Sequence, residues 1–179
     1  MKKFIFINFL FLFLSQSVIG QNTFFIGQKT YSCTEKQTLK SNKGFPAYDL
    51  TVLIAKNGDA GFFVVSAEVM TPVRIKGNLL IYLDNGELIT CVDRNKFDTV
   101  DEITTTVYNL TSAEISKLKE NNIQKVRFSL KTTGGKYDSS TEEGNYSASN
   151  IESDYDYTTR KSYNKTDFPT LVTELFNLE

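Results

Sequence analysis

The stretch "NLLIYLDNGELITCV", Asn78 to Val92, constrains the fold more than any other part of this chain. Two apolar runs flank Asn85-Gly86, the dipeptide favoured in a two-residue type I′ hairpin loop because both of its positions take positive φ. That loop predicts a hairpin in which Leu83 faces Leu88, Tyr82 faces Ile89, Ile81 faces Thr90 and Leu80 faces Cys91. One face then carries Leu79, Ile81, Leu83 and Leu88, and the other Leu80, Tyr82, Ile89 and Cys91. Apolar residues on both faces predict a hairpin covered on both sides, in the middle of a sheet.

Neighbouring segments extend this reading. "YDLTVLIAK" places Tyr48, Leu50, Val52 and Ile54 on one face, the alternation of a strand. "NGDAG" is a turn, and "FFVVSAEVM" is a second strand rich in aromatic and β-branched residues. "KTYSC", Lys29 to Cys33, reads as a further strand, "TPVRIKG" as a connector and "DRNKFDTVDE" as a polar loop. In "YNLTSAEISKLKENNIQKVRF", Thr111 and Glu114 form a capping box. Leu110 and Ile115 are spaced as a hydrophobic staple, Ile115 and Leu118 give an apolar stripe, and Asn121 or Asn122 is placed to end the helix in a left-handed conformation. Val126, Phe128 and Leu130 then alternate with Lys125, Arg127 and Ser129 as a strand. The tail "DFPTLVTELFNLE" predicts a helix with Pro169 at its first position and Leu171, Val172, Leu175 and Phe176 on one face. The expected fold is α+β: a mostly antiparallel, meander-type sheet with one short inserted helix and a C-terminal helix. A β-sandwich with peripheral helices is the alternative.

The segment Tyr137 to Tyr163 stands apart. It holds five tyrosines, six serines, three threonines and six acids, with only Ala148 and Ile151 aliphatic. Such a composition buries little apolar surface, and it reads as a flexible loop with a short edge strand at "GNYSASN". Its tyrosines, Tyr146, Tyr155 and Tyr157 in particular, form a candidate contact surface, because Tyr offers area at small entropy cost. Glu152, Asp154 and Asp156 alternate as oxygen ligands for calcium would, but without the glycine and terminal glutamate of an EF-hand loop; a solvated acidic loop is the simpler reading.

The chain opens "MKKFIFINFLFLFLSQSVIGQ". A basic start, an eleven-residue apolar run broken only by Asn8, and small residues at Val18 and Gly20 predict a signal peptide over residues 1–20. The run is too short to span a bilayer, which takes about 20 apolar residues. Gln21 stands where a lipoprotein box needs Cys, so no lipid anchor is expected. Removing 20 of 179 residues leaves 159, enough for a single β-rich domain over 21–179. Loss of Lys2 and Lys3 leaves 18 basic against 21 acidic residues, a balance that argues against nucleic acid as partner. Cys33 and Cys91 are the only cysteines. In an oxidising compartment they are candidates for one disulfide worth about 4 kcal/mol in the chain-entropy model; two buried free thiols are the alternative.

"IKGNLLIYLDNGELITCVDR", "VDEITTTVYNLTSAEISKLKENNIQKVRFSLK", "EGNYSASN" and "DFPTLVTELF" together resemble small exported proteins of Bacteroidetes-type bacteria. The resemblance covers about two-thirds of the chain beyond the leader and implies a location in the bacterial envelope, with no activity, cofactor or site residue attached.

Composition removes several chemistries. The chain has no histidine, so Ser-His-Asp and Cys-His nucleophile activation and histidine zinc sites are excluded. With no tryptophan either, a common platform for sugars is missing. No cofactor is expected. The reading that remains is an exported, periplasmic or extracellular, non-catalytic binding protein with a protein or glycan partner. A carboxylate-dependent hydrolase of envelope polymers and a structural or inhibitory envelope protein are the alternatives.

Overall fold

The alternation of the sequence is realised mainly in one large sheet. A computed structural model describes residues 22–41, 48–133, 142–156 and 160–177; the expected signal peptide lies outside them. In chain order the strands are β1 Thr23–Ile26, β2 Lys29–Ser32, β3 Gln37–Ser41, β4 Leu50–Asn57, β5 Ala60–Glu68, β6 Val73–Ile75, β7 Leu79–Leu83, β8 Leu88–Cys91, β9 Phe97–Val100 and β10 Ile103–Leu110. Helix α1, Ser112–Glu120, leads into β11 Ile123–Thr132, β12 Gly144–Ser149, β13 Ser153–Asp156 and β14 Lys161–Tyr163, and helix α2, Phe168–Asn177, follows. The main sheet runs β8-β7-β11-β12-β3-β4-β5-β10-β9, with β6 added to β11, and curls into a half-barrel. Every pairing is antiparallel. β1 pairs β2, and β13 pairs β14, as two separate small sheets.

The inner face of the curl holds the main core. Leu50, Val52 and Ile54 of β4, Phe63 and Val65 of β5, and Val126, Phe128 and Leu130 of β11 meet there. Ile115 and Leu118 of α1 and Phe168, Val172 and Leu175 of α2 join them. Each fully buried ring, such as Phe63 or Phe128, contributes roughly 2–3 kcal/mol of transfer free energy. Thr106 donates to the Ile75 carbonyl (2.9 Å) and Tyr108 to that of Gly77 (2.9 Å), which ties β10 to the β6 segment. Gly61 lies where the helices come closest to the sheet. A Cβ there would stand 2.7 Å from the Ala55 carbonyl oxygen and 3.2 Å from Ile115, so no larger residue fits.

The hairpin β7–β8 forms, but one residue out of the expected register. Tyr82 pairs with Leu88, Ile81 with Ile89, Leu80 with Thr90 and Leu79 with Cys91. At the tip the Leu83 N–H donates to Glu87 O (2.9 Å) and the Gly86 N–H to Leu83 O (3.1 Å). Gly86 takes φ 86° and Asn85 keeps a negative φ. The loop is thus the three residues 84–86, a turn closed by a left-handed glycine. Because side chains alternate with period two, a one-residue slip re-sorts them between the faces. Leu79, Ile81, Leu83, Ile89 and Cys91 all turn inward, and Leu80, Tyr82, Leu88 and Thr90 turn out. The hairpin lies at the sheet edge with Leu88 44% exposed. The pair buried on both faces is instead β4–β5, whose outer side (Leu53, Ala55, Phe62, Val64) forms a second cluster under Phe24, Ile26 and Tyr31 of β1–β2.

The two-residue turn with positive φ at both positions occurs elsewhere, at Asp101 (49°) and Glu102 (65°), which join β9 to β10 within the stretch expected to be a loop. Non-glycine residues hold this conformation at a cost of about 1 kcal/mol each. Glu102→Gly is therefore expected to raise unfolding stability by about 0.5–1 kcal/mol, read as a higher urea midpoint with an unchanged slope. An unchanged or lower midpoint would contradict the strain.

Helix α1 has the expected capping box: the Thr111 hydroxyl accepts from the Glu114 N–H, and the Thr111 N–H donates to the Glu114 carboxylate (2.7 Å). Its end differs from expectation, since Asn121 is extended (φ −132°) and donates its N–H to Lys117 O. α2 starts one residue earlier than expected, at Phe168, capped by Asp167, and Pro169 sits second in the first turn. Both positions leave Pro's missing N–H harmless. "TPVRIKG", expected as a connector, contains β6, all three residues of which are buried.

The largest departure is in Tyr137–Tyr163. Gly144–Ser149 is an interior strand, bonded to β11 on one side and β3 on the other, and not an edge strand in a flexible loop. A strand needs to bury only alternate residues, and here Tyr146 and Ala148 suffice. Tyr146 is 4% exposed. Its ring stacks at 5.8 Å on Phe128 and meets Tyr48 edge-on at 4.8 Å, and its hydroxyl donates to Glu142 O (2.8 Å).

Candidate functional site

Two short strands carry apolar residues that the core does not absorb. In "TFFI" (β1), Phe24 and Ile26 turn toward the sheet while Phe25 is 67% exposed. In "FDTV" (β9), Phe97 is 43% and Val100 58% exposed, and Ile103, just past the turn, is 47% exposed. These residues share a groove of about 650 Å3 between the β1–β2 hairpin and β9–β10. Its floor is Ile103, Thr105 and Val107 of β10, and its polar lining is Lys96, Asp98 and Asp101. Grooves of this size with an apolar lining and few polar groups suit a ligand or a partner segment.

Two features mark the β9 side of the groove, the first of them on the opposite face of β9–β10: Phe97 pairs with Thr106, which points inward, so its ring sits across the strand from Ile103 and Thr105. The Arg74 guanidinium lies 3.7 Å from the centroid of the Phe97 ring and donates from Nη2 to Asn95 Oδ1 (2.7 Å). Arg74 is buried, and its Nη1 has no hydrogen-bond partner within the described residues. The ring and the cation attract, which holds Phe97 against the sheet. In addition, among the described residues β9 pairs only with β10, so its other edge carries no strand, and the Thr99 N–H on that edge is held by Asp98 Oδ1 (2.8 Å).

The residues singled out from sequence are not brought together. Tyr146 is core and cannot serve as a contact residue. Tyr155 lies on β13, with its side chain outside the described residues, and Tyr157 lies outside them altogether. Of the calcium candidates, Glu152 is exposed; Asp154 and Asp156 are on β13, with side chains outside the description. Among the described residues, no three Cys, Asp or Glu side chains gather as metal ligands.

The expected Cys33–Cys91 bridge is absent, and both thiols are free and buried. They belong to different clusters, Cys33 to the outer one beside Ala55 and Cys91 to the main core opposite Leu79. Spacing in sequence could not reveal that the sheet lies between them. Burial pushes the Cys91 thiol up to about 12, with the Glu114 charge adding to it, and burial also raises Cys33 against a lowering by Lys36. Neither is an activated nucleophile.

Among the described residues two carboxyls are shifted, both downward. Lys117 and Asn85 hold Glu87 low. Burial raises Glu142, but donation from the Met70 N–H, the Thr71 hydroxyl and the Tyr48 hydroxyl outweighs it. A general acid for glycoside hydrolysis requires the opposite shift. Among the described residues, no helix is long and apolar enough to cross a membrane.

The groove was detectable in principle. Phe24, Phe25, Phe97 and Val100 are large apolar residues in otherwise polar surroundings, "NTFFIGQ" and "NKFDTVDE". Comparison with protein-family models, curated proteins and solved structures finds no match for this chain.

Proposed function

We propose that this protein is an exported, non-catalytic binding module of the bacterial envelope, and that it captures an extended apolar segment of a partner protein in the β1/β9 groove. The observation that carries this reading is the concentration of Phe25, Val100 and Ile103, all more than 40% exposed, around one groove beside a strand edge that no other strand among the described residues covers. A peptide added to β9 would pair with its open edge, taking the Thr99 N–H over from Asp98. Alternate side chains of that peptide would enter the groove, which is how sheet edges recognise extended segments.

Phe25 and Val100 are the residues to change, because their exposure makes them dispensable for folding. Peptides selected from a random library should carry alternating apolar residues. The double variant Phe25→Glu, Val100→Glu should keep its melting temperature and bind those peptides at least about tenfold more weakly, a loss of about 1.4 kcal/mol. Equal binding by the double variant would place recognition elsewhere.

A further inference from the structure

A second surface lies across the sheet from the groove, separated from β10 by β3, β4 and β5. It is the outer face of β7, β11 and β12. While Val126, Phe128 and Leu130 enter the core, β11 turns Lys125, Arg127, Ser129 and Lys131 outward. Register places Lys125 between Tyr82 of β7 and Ser149 of β12, and Arg127 between Leu80 and Ser147. Asn145 stands opposite Ser129, whose hydroxyl bonds Asn145 Oδ1 at 2.6 Å; the amide Nδ2 of Asn145 remains a donor.

On this outer face Tyr82, Lys125, Arg127, Asn145 and Ser147 line a cleft of about 300 Å3. No aliphatic side chain and no carboxylate is among them. That is a marked segregation in a chain with 20 basic and 21 acidic residues. Outward residues on one strand repeat at roughly 7 Å, so Lys125 and Arg127 present two cations at that spacing. The Lys125 ammonium lies 4.8 Å from the centroid of the Tyr82 ring, which holds it at the cleft wall.

We infer that this face binds an acidic polysaccharide. Charge complementarity requires an anionic partner: Arg127 offers a planar fork that matches a carboxylate or sulfate, and Lys125 a point charge. The remaining lining is hydroxyl and amide, which pairs with sugar hydroxyls and offers little to apolar peptide side chains. The site stands independently of the groove, and variants of one leave the other intact.

Affinity electrophoresis at low ionic strength tests it, using the whole protein against polygalacturonate, dextran sulfate, neutral dextran and polyglutamate. One or both acidic polysaccharides should retard the protein, and which one tells carboxylate from sulfate; dextran should not. Added salt should weaken the retardation. Lys125→Gln with Arg127→Gln should weaken binding by about fivefold or more per charge removed, at unchanged melting temperature. Asn145→Ala should weaken polysaccharide binding and leave any residual polyglutamate binding unchanged. Failure of both acidic polysaccharides to bind would overturn the proposal, as would binding untouched by the double variant. Polyglutamate bound as tightly as the sugars would show an acidic-peptide surface instead.

Discussion

Replacing Asn150 with leucine is expected to destabilise the protein by about 3 kcal/mol, although leucine keeps the same branched arrangement of side-chain heavy atoms. Asn150 is 5% exposed, just past β12. Its carboxamide oxygen accepts from the Thr166 N–H (2.8 Å), and its Nδ2 donates to the carbonyls of Thr166 (2.8 Å) and Ile123 (2.9 Å). It thereby joins the start of β11 to the residues leading into α2. Asn122 supports the same junction, donating to Thr166 O (3.0 Å) and accepting from the Phe168 N–H (3.3 Å). Leucine fills the space but leaves a buried N–H and a buried carbonyl poorly served, at about 1–3 kcal/mol each. The Thr166 carbonyl keeps Asn122, which limits the loss. Urea denaturation followed by fluorescence or circular dichroism measures it; a midpoint within error of the wild type would show that the junction contributes nothing.

Glu142→Gln is expected to cost about 2 kcal/mol at neutral pH and to flatten the response of stability to acid. Glu142 is 1% exposed. Its Oε1 accepts from the Tyr48 hydroxyl (2.6 Å) and the Met70 N–H (2.9 Å), and its Oε2 from the Thr71 hydroxyl. It clamps the lead-in to β12 against the β5–β6 connection and the residues before β4. The folded pKa is lowered from the 4.5 of a free carboxyl. A depressed folded value means that the stabilisation is complete above the unfolded pKa and is lost as pH falls through the folded one. The wild type should therefore lose stability steeply below about pH 4.5, and the variant should lose less. The two curves then converge in acid. Parallel curves over that range would mean that the carboxylate's charge is not what the clamp uses.

Local signals in the sequence were read well where one segment decides its own geometry. The Thr111–Glu114 box, the β4–β5 alternation and the Val126-Phe128-Leu130 stripe all appear in the structure. What failed needed either one more residue of turn detail or a distant partner. Asn85-Gly86 suits both a two-residue and a three-residue loop, and the choice between them re-sorts the faces of β7–β8. "GNYSASN" reads from sequence as no more than a short edge strand in a loop, because β11 and β3, which flank it, are remote in sequence. The site fared worse. Tyrosine-rich composition points to Tyr146, which is core, while nothing local marks Phe25, Phe97 and Val100, because exposure is set by which strands they lie beside. The alternation of β11 turns Lys125 and Arg127 outward, but their assembly with Asn145 and Ser147 depends on the β11–β12 register.

The half-barrel does not seal, and its two open rims are unequal. At the β8 rim the hairpin tip is anchored to α1 by Glu87–Lys117 (3.1 Å) and to the residue leading into β11 by Asp84–Asn122 bonds, which surround it with charge. The β9 rim carries Phe97 and Val100, with Asp98 the single charge on the strand. Nothing in such a rim discriminates between a foreign strand and the same strand of another copy. A cell holding this protein at high concentration must therefore keep the β9 rim occupied or accept pairwise sticking there. The surface proposed to capture a partner would also set a ceiling on how densely the molecule can be stored alone.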